Sequence, residues 1–453
     1  MSSPENTFPP GFPPNFPPTN LIWHPSTCPG SVFSPTITPF PEPQKQQDEY
    51  LLLYIPGNPG MIGYYRSFLS RLSVLLRERK GTKSVSILGI SHAGFYFQNG
   101  DEVGNPAEGE PRKGVLEEKA KYTDWKSLPQ PWTLQQQSKM KAELLNWIGE
   151  WYRRQPGGRK LKVLLAAHSM GAWVSMEMVK SLGSNDRLVD QEEWGIRSTV
   201  DVLGGTLMFP SIVDIAKSKN GRVVMPMLSL HRSVPHLCQL FASFLFHVVL
   251  SASLGRWLVG RFTGFSALSS TYVSLDGSLS TTNEALDATF SFLTAPGAVE
   301  QSLSMAREEM HMIKEDTWSD EIWGLGGELE WVLYFGQGDD WVCDESRDRL
   351  IKNRGRRYVA GMESASSAST SVERDVKGNL LRRNKIEEAG IDVELDGVAK
   401  GAEKEWKPLM IVCEEGMPHG FCIKHGEVMA EKVAIWIENI IEGSGKRRRG
   451  ENI

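Results

Sequence analysis

Six short apolar runs, separated by helix-like segments, constrain the fold of this chain more than any other feature of its sequence. Each run is stopped by turn residues and is too short for a core helix, so each is interpreted as a buried strand. The runs begin at Tyr50, Ser84, Leu161, Asp201, Leu329 and Lys407. Helix-like segments such as "LQQQSKMKAELLNWIGEWYRR" and "GEVMAEKVAIWIENII" lie between or after them. This alternation predicts an α/β fold with a doubly wound, mostly parallel sheet.

Two long interruptions of this alternation define the predicted domains. With 453 residues the chain is longer than one simple core requires. We predict a core in two parts, residues 49–210 and 326–441, with a mostly helical hydrophobic cap inserted at residues 211–325. Residues 352–405 contain "ESASSASTSVERD" and many charges. Their apolar content is too low for folding alone, so they are interpreted as a disordered polar insert.

Both ends of the chain have the composition of tails. Half of the 26 prolines fall within the first 43 residues, which favours an extended chain with little apolar surface to bury. Residues 1–48 are therefore predicted to be a disordered tail, and the basic residues 442–453 a second one. The N-terminus lacks the positive-then-apolar pattern of a secretory signal, so we expect the cytosolic side of the membrane.

Composition argues against several classes of function. A net charge of -5 gives no reason to expect nucleic acid as a partner. The five cysteines are scattered and form no C-x-x-C pair, so neither a disulfide framework nor a zinc site is expected. The glycine-bearing turns lack the G-x-G-x-x-G spacing of a dinucleotide site, and no histidines have metal-ligand spacing. We expect no cofactor and no metal ion.

The third apolar run ends in "AHSMG", which places Ser169 where a strand gives way to a helix. The pattern is G-x-S-x-G with Ala167 in place of the first glycine. Small residues at these positions permit the tight turn that exposes a nucleophile. The alternative is an ordinary junction in which the serine caps the helix. The choice depends on whether an acid and a base follow in the chain.

An acid and a base do follow, in the order that such a site requires. In a doubly wound sheet with such a site the order is serine, then Asp or Glu, then histidine, each on a loop at the carboxyl edge of the sheet. Asp339 follows the fifth run in "VLYFGQGDDW", and His419 follows the sixth in "LMIVCEEGMPHGF". Asp340 and Asp344 lie further along the first loop. His425 lies at the start of the last helix, so Asp339 and His419 are the predicted pair.

Acyl transfer also needs backbone donors for the oxyanion. The amide after the nucleophile belongs to Met170, and the loop "IPGNPG" after the first strand offers the amide of Asn58. A plain glycine-proline turn is the alternative for that loop. His92, in "GISHAGF", lies at the same edge of the sheet, where a hydrogen-bonded structural histidine is favoured over a pocket residue.

The predicted cap contains an uncharged run of 23 residues between Arg232 and Arg256. A buried cap helix and an interfacial or hairpin membrane element are both consistent with it. Either places a large apolar surface over the catalytic edge, which favours an apolar substrate. Arg222, Arg256 and Arg261 are candidates for contact with anionic headgroups, as is the basic run in "GKRRRG".

Six motifs in order resemble the lipid droplet-associated serine hydrolase family of the α/β-hydrolase superfamily. They are "YIPGNPGMIGYY", "GISHAGF", "AHSMGAW", "MFPSIVDIAKSKNG", "YFGQGDDW" and "MPHGF", and the resemblance runs from about Tyr50 to Ile441. It implies that Ser169 is the nucleophile, Asp339 the acid and His419 the base. It also implies a protein on lipid droplets and the endoplasmic reticulum, at the cytosolic face, with sterol esters or acylglycerols as candidate substrates.

The sequence thus predicts a serine esterase or lipase-like hydrolase held at a lipid surface by its cap. Two other hypotheses remain open at this point. The first is a lipid droplet-binding protein whose triad is vestigial. The second is an acyltransferase that uses the same acyl-enzyme with an alcohol in place of water.

Overall fold

A computed structural model describes most of the chain. The described residues are 12–13, 16, 19–28, 31–33, 48–96, 123, 125, 128–156, 159–182, 199–268, 270–273, 279–360, 407–413 and 415–449. Much of the predicted tail at residues 1–48 and most of the predicted insert at 352–405 lie outside these residues.

Ten strands occur in the described residues. They are β1 Leu21–His24, β2 Tyr50–Ile55, β3 Val85–Ile90, β4 Leu161–His168, β5 Val200–Met208, β6 Ser270–Val273, β7 Leu279–Thr282, β8 Glu330–Gly336, β9 Arg356–Ala360 and β10 Leu409–Cys413. Eight of them form one sheet in the order β1-β3-β2-β4-β5-β8-β10-β9, and β6 and β7 form a separate hairpin. Within the sheet all neighbours are parallel except β1, which pairs antiparallel with β3. The six predicted strands occupy the centre of this sheet.

Ten α-helices accompany the strands in the described residues. They are α1 Arg66–Glu78, α2 Leu134–Arg153, α3 Met170–Leu182, α4 Lys219–Ser229, α5 Val234–Phe244, α6 Ala252–Thr263, α7 Glu284–Thr294, α8 Ala298–Met312, α9 Asp344–Arg354 and α10 Gly426–Arg449. Successive side chains of β2 point into two different apolar clusters, as period-two alternation requires. One cluster includes α2 and α3, and the other includes α1 and α10. The doubly wound α/β-hydrolase architecture predicted from the sequence is therefore confirmed.

Three predictions of disorder are wrong where the structure describes the chain. Within residues 1–48, Ile22 and Trp23 of β1 are buried because they cover the edge of β3. Within residues 442–453, α10 continues to Arg449. Within residues 352–405, α9 continues to Arg354 and β9 adds a parallel edge strand beside β10.

The cap predicted at residues 211–325 contains α4 to α8, but it is not helical throughout, because β6 and β7 form a hairpin within it. The uncharged run is split into α5, a π-helical turn at Leu245–Val249 and α6. A single buried cap helix is therefore wrong for this run. In the described part of the chain, no helix combines the length and the apolarity needed to cross a bilayer.

Large apolar side chains are exposed along α4 to α6 and the segments that join these helices. Phe262 is 85% exposed, Val248 71% and Phe241 67%. We call the following twelve side chains the apolar face: Val223, Met227, Leu230, Leu237, Leu240, Phe241, Phe244, Val248, Val249, Leu254, Trp257 and Phe262. Scattered exposed apolar residues are ordinary, but such a concentration is typical of an interaction surface.

Candidate active site

Ser169 lies at the sharp turn between β4 and α3. Its φ angle is +52°, in the left-handed region that a residue with a side chain seldom occupies. The turn is held because the Ser169 amide donates to the Met208 carbonyl of β5 at 3.0 Å. A side chain at Gly171 would lie 2.5 Å from the carbonyl oxygens of Ile55 and Pro56, so only glycine fits there. This is the strained strand-to-helix turn of a nucleophile elbow.

Ser169, His419 and Asp339 form one chain of hydrogen bonds. Ser169 Oγ lies 2.8 Å from His419 Nε2. His419 Nδ1 lies 2.7 Å from Asp339 Oδ2 and 3.0 Å from Asp339 Oδ1. The carboxylate can only accept, so Nδ1 carries the proton and Nε2 is free to accept the serine proton. The structure thus brings together the three side chains selected from the sequence.

The loop after β8 presents Asp339 and turns the neighbouring acids elsewhere. The Asp339 side chain is 2% exposed, and its Oδ1 also accepts the Trp341 amide at 2.8 Å. Asp340 pairs with Lys219 at the surface, at 2.9 Å. Asp344 pairs with the buried Arg347 at 2.5 Å. Asp339 is therefore the one acid of these three that is hydrogen-bonded to His419.

The loop after β2 passes directly over the nucleophile. A Cβ atom on Gly57 would lie 2.8 Å from the Cβ of Ser169, so glycine is needed for this close approach. The Gly57 amide donates to Tyr65 Oη at 3.3 Å. Across the described residues, the backbone amides of Asn58 and Met170 donate to no protein atom. Both therefore keep a free N–H group.

His168 joins the nucleophile strand to the loop that carries His419. Burial, followed by the nearby His419, holds the pKa of His168 well below its usual value, so its imidazole is neutral. Its Nε2 lies 2.9 Å from the His419 carbonyl oxygen, which can only accept, so Nε2 carries the proton. Nδ1 then accepts from Tyr65 Oη at 2.7 Å. A buried hydrogen-bond path thus links Gly57, Tyr65 and His168 to the backbone of His419.

Ser211 is a second hydroxyl at the site, and it is not among the residues predicted from the sequence. Its Oγ lies 3.3 Å from Ser169 Oγ, and its amide donates to the Ser169 carbonyl at 3.2 Å. Since the Ser169 proton is directed to His419, the Ser211 hydroxyl is the donor of this pair. The sequence did contain a signal, because Ser211 follows β5 at the same edge of the sheet as Ser169.

His92 is structural, as its position in the sequence favoured. Its Nε2 donates to the Pro56 carbonyl at 2.9 Å, and its Nδ1 accepts from Lys141 Nζ at 2.9 Å. Burial, followed by the charge of Lys141, holds the pKa of His92 well below its usual value. Its amide donates to the Gly60 carbonyl at 2.7 Å. His92 therefore holds the loop that carries Asn58 at two points, the carbonyl groups of Pro56 and Gly60.

Comparison with known proteins identifies the family. Residues 48–374 match the family described as lipid-droplet associated hydrolase. The chain belongs to this family. A lipid droplet-associated hydrolase of Gallus gallus is 26% identical over 306 residues, which are 68% of this chain and 75% of that protein. The family resemblance inferred from the six motifs is thereby confirmed.

Solved structures similar to this member of the lipid-droplet associated hydrolase family include two hydrolases. The peroxisomal alpha-beta-hydrolase of Saccharomyces cerevisiae is 9% identical, with 88% of this chain and 78% of that chain covered and a TM-score of 0.45. The 2-hydroxy-6-oxo-6-phenylhexa-2,4-dienoate hydrolase of Rhodococcus sp. strain RHA1 is 10% identical, with 86% and 90% covered and a TM-score of 0.40. Membership of the family makes the protein a hydrolase, and its strand order gives the α/β-hydrolase fold.

Proposed function

We propose that this hydrolase cleaves carboxylic esters of lipids through an acyl-enzyme on Ser169. The observation that carries the proposal is the continuous hydrogen-bond chain from Ser169 Oγ through His419 to Asp339, built on a left-handed turn. A serine, an imidazole and a buried carboxylate in this order perform acyl transfer to water, and ester cleavage is one such reaction.

In the first half of the reaction, Ser169 Oγ attacks the acyl carbon and its proton passes to His419 Nε2. Asp339 stabilises the imidazolium and keeps the ring oriented. The carbonyl oxygen becomes an oxyanion, for which the free amides of Asn58 and Met170 are the proposed donors. The bond to the alcohol oxygen then breaks, and the alcohol leaves with the proton of Nε2.

In the second half, water replaces the alcohol. His419 Nε2 removes a proton from the water as its oxygen attacks the acyl carbon, and the same two amides stabilise the second oxyanion. The Ser169 ester bond breaks, the fatty acid leaves, and Ser169 Oγ recovers its proton from Nε2.

The proposed substrate is a sterol ester or an acylglycerol at the surface of a lipid droplet or of the endoplasmic reticulum, on the cytosolic side. The name of the Gallus gallus relative supports a location on lipid droplets. The apolar face supports binding to a lipid surface. The excess of basic residues in this part of the sequence supports an anionic lipid surface. Between Asp214 and Asp276 the chain has no acidic residue, and its basic residues are Lys217, Lys219, Arg222, Arg232, Arg256 and Arg261.

A fluorophosphonate probe tests the esterase proposal. The wild type and the Ser169→Ala, His419→Ala and Asp339→Asn variants are labelled and assayed on sterol esters and acylglycerols. We expect no labelling of Ser169→Ala and activity losses of roughly 10⁴-fold or more for the other two. Asp340→Asn is the matched control, because this exposed neighbour pairs with Lys219 and is expected to retain activity within about twofold.

Two other results would each contradict the proposal. A folded wild type that resists the probe even with a lipid emulsion present would indicate a lipid-binding protein without catalysis. Acyl transfer to an added alcohol that outpaces hydrolysis would indicate an acyltransferase.

Flotation with vesicles tests the lipid surface. We expect binding to vesicles that contain phosphatidylserine, weaker binding to pure phosphatidylcholine, and a decrease as salt is raised. The paired change Phe241→Ser and Phe244→Ser is expected to abolish binding, because both rings are more than half exposed on α5. Val428→Ser on α10 removes an exposed apolar side chain outside the cap and serves as the control. Equal flotation of the two variants would show that another part of the chain binds.

A further inference from the structure

The side chain of Asn58, next to Gly57 above the nucleophile, is held by helix α8 of the cap. Its Nδ2 donates to the Ser302 carbonyl at 3.0 Å and to Glu309 Oε1 at 2.8 Å. Its Oδ1 accepts from Ser302 Oγ at 2.7 Å. Ser302 and Glu309 are seven residues apart, which places them on one face of α8, two turns from each other. One cap helix thus satisfies both ends of the amide.

This contact is buried. Ser302 is 9% exposed and Glu309 4%. Burial raises the pKa of Glu309 to about 7, and no cation of the described residues forms an ion pair with its carboxyl group. A buried carboxyl group without a cation adds little to stability, so we expect Glu309 to have another role. Its hydrogen bond to the Asn58 side chain indicates that role.

Three further residues of helix α8 are hydrogen-bonded to other elements, which fixes the helix in place. Gln301 exchanges hydrogen bonds with the backbone of Trp132 at 2.7 and 2.8 Å, and Glu308 accepts the Leu134 amide at 2.7 Å. At the start of α8, Gln239 of α5 accepts the Val299 amide at 3.0 Å. The position of Asn58 is therefore fixed by contacts with the cap as well as by the sheet.

We propose that Ser302 and Glu309 are positioning residues for catalysis: they hold the Asn58 side chain and thereby aim its backbone amide at the oxyanion. The inference rests on the proposed function, in which that amide stabilises the tetrahedral intermediate. A side chain and an amide on the same residue share its φ angle, so fixing one restricts the other. Positioning the amide lowers the free energy of the transition state and not that of the bound ester, because only the transition state carries an oxyanion.

The test compares Glu309→Leu, Ser302→Ala and Glu309→Gln with the wild type. The measurements are the rate constant of fluorophosphonate labelling and the kcat and KM for p-nitrophenyl butyrate. We expect Glu309→Leu to lower kcat and the labelling rate by about 10- to 100-fold with little change in KM. Ser302→Ala should cost less, because its carbonyl remains. Glu309→Gln should retain most activity, since its amide oxygen still accepts from Asn58.

Glu300→Gln is the matched control. Glu300 lies on the same helix, but its carboxylate contacts His236 at 3.0 Å, and we expect wild-type rates. A double-mutant cycle with Asn58→Ala separates positioning from general loosening of the cap. If Glu309 acts through Asn58, adding Glu309→Leu to Asn58→Ala will lower the labelling rate no further. A fully additive loss would overturn the inference.

The outcomes also separate this inference from the proposed function. If Ser169-dependent labelling occurs and Glu309→Leu and Ser302→Ala both react at the wild-type rate, the esterase proposal stands and the positioning role is overturned. If folded wild type is not labelled, the esterase proposal fails and the inference fails with it. Far-UV circular dichroism and thermal unfolding identify any variant that has not folded, and Ser302→Ala, the milder change, then decides.

Discussion

His168 shows how a residue beside the nucleophile can control the base. Its neutral imidazole donates to the His419 carbonyl, while Tyr65 fixes the other ring nitrogen. We expect His168→Leu to lower kcat by about 10- to 100-fold, because the loop that carries His419 loses its anchor and the imidazole shifts relative to Ser169. His168→Gln, whose amide can still donate, should recover part of this loss. Steady-state kinetics on a soluble ester measure both.

The control for His168 is Tyr65→Phe, which removes the Tyr65 hydroxyl group but leaves the hydrogen bond from His168 Nε2 to the His419 carbonyl in place. It should reduce kcat less than His168→Leu does. Equal kcat values for His168→Leu and the wild type would contradict the positioning of His419 through its carbonyl.

Lys141 makes stability depend on pH. It is fully buried on α2, and burial lowers its pKa to about 7. In the unfolded chain a lysine stays protonated up to about pH 10. Between about pH 7 and 10 the unfolded state therefore binds more protons, so the free energy of unfolding rises with pH, by up to about 1.4 kcal/mol per unit. Below about pH 7 both states are protonated and this contribution no longer changes.

Urea unfolding from pH 6 to 9 measures this slope. Lys141→Met has similar length and no charge, so its unfolding free energy should rise less steeply above pH 7 than that of the wild type. Parallel curves for the two proteins would contradict the lowered pKa.

The candidate site could be predicted only in part. Ser169, Asp339 and His419 each follow a strand that is recognisable in the sequence. Because parallel strands end at one edge of the sheet, the three residues could be expected to meet there. Ser211, which contacts Ser169, follows a left-handed turn at Phe209 with φ +47°, and residue preferences do not predict such a turn at a phenylalanine. Side-chain contacts of this kind follow from the folded backbone and not from chain order.

At the scale of elements, the central strands were predictable and the edge strands were not. The central strands are buried on both faces, so they appear as apolar runs. β1 has four residues in a proline-rich segment, and β9 begins with two arginines. Among the described strands each pairs with one neighbour, so its formation depends on the strand that it covers.

The packing of β1 has a measurable consequence. Trp23 is 3% exposed and its ring meets Phe33 at 5.8 Å between centroids. We expect Trp23→Ala to lower the free energy of unfolding by about 3 to 5 kcal/mol, through lost burial and a cavity. Phe262→Ala, at a site 85% exposed, is the matched control and should change it by less than about 0.5 kcal/mol. A small effect at Trp23 would show that this strand detaches without loss of the core.

At the scale of the whole molecule, the parallel pairing of β9 with β10 sets the minimum length of the segment that connects them. Two neighbouring parallel strands require a crossover of about a dozen residues. Residues 361–406 exceed this need. We expect that replacing them with a Gly/Ser linker of about 16 residues leaves the fluorophosphonate labelling rate within about twofold, because the hydrogen bonds that join Ser169, His419 and Asp339 involve none of the replaced residues. Loss of labelling in a folded variant would assign the segment a part in the site.

The apolar face also determines how the purified protein behaves away from lipid. Twelve exposed apolar side chains favour contact with any available apolar surface, including the same face of a second copy. In detergent-free buffer, sedimentation velocity should therefore show species that grow with protein concentration and that a mild detergent disperses. Specific activity measured without lipid should fall as the enzyme is concentrated, so the dilution of the sample becomes a variable of every assay.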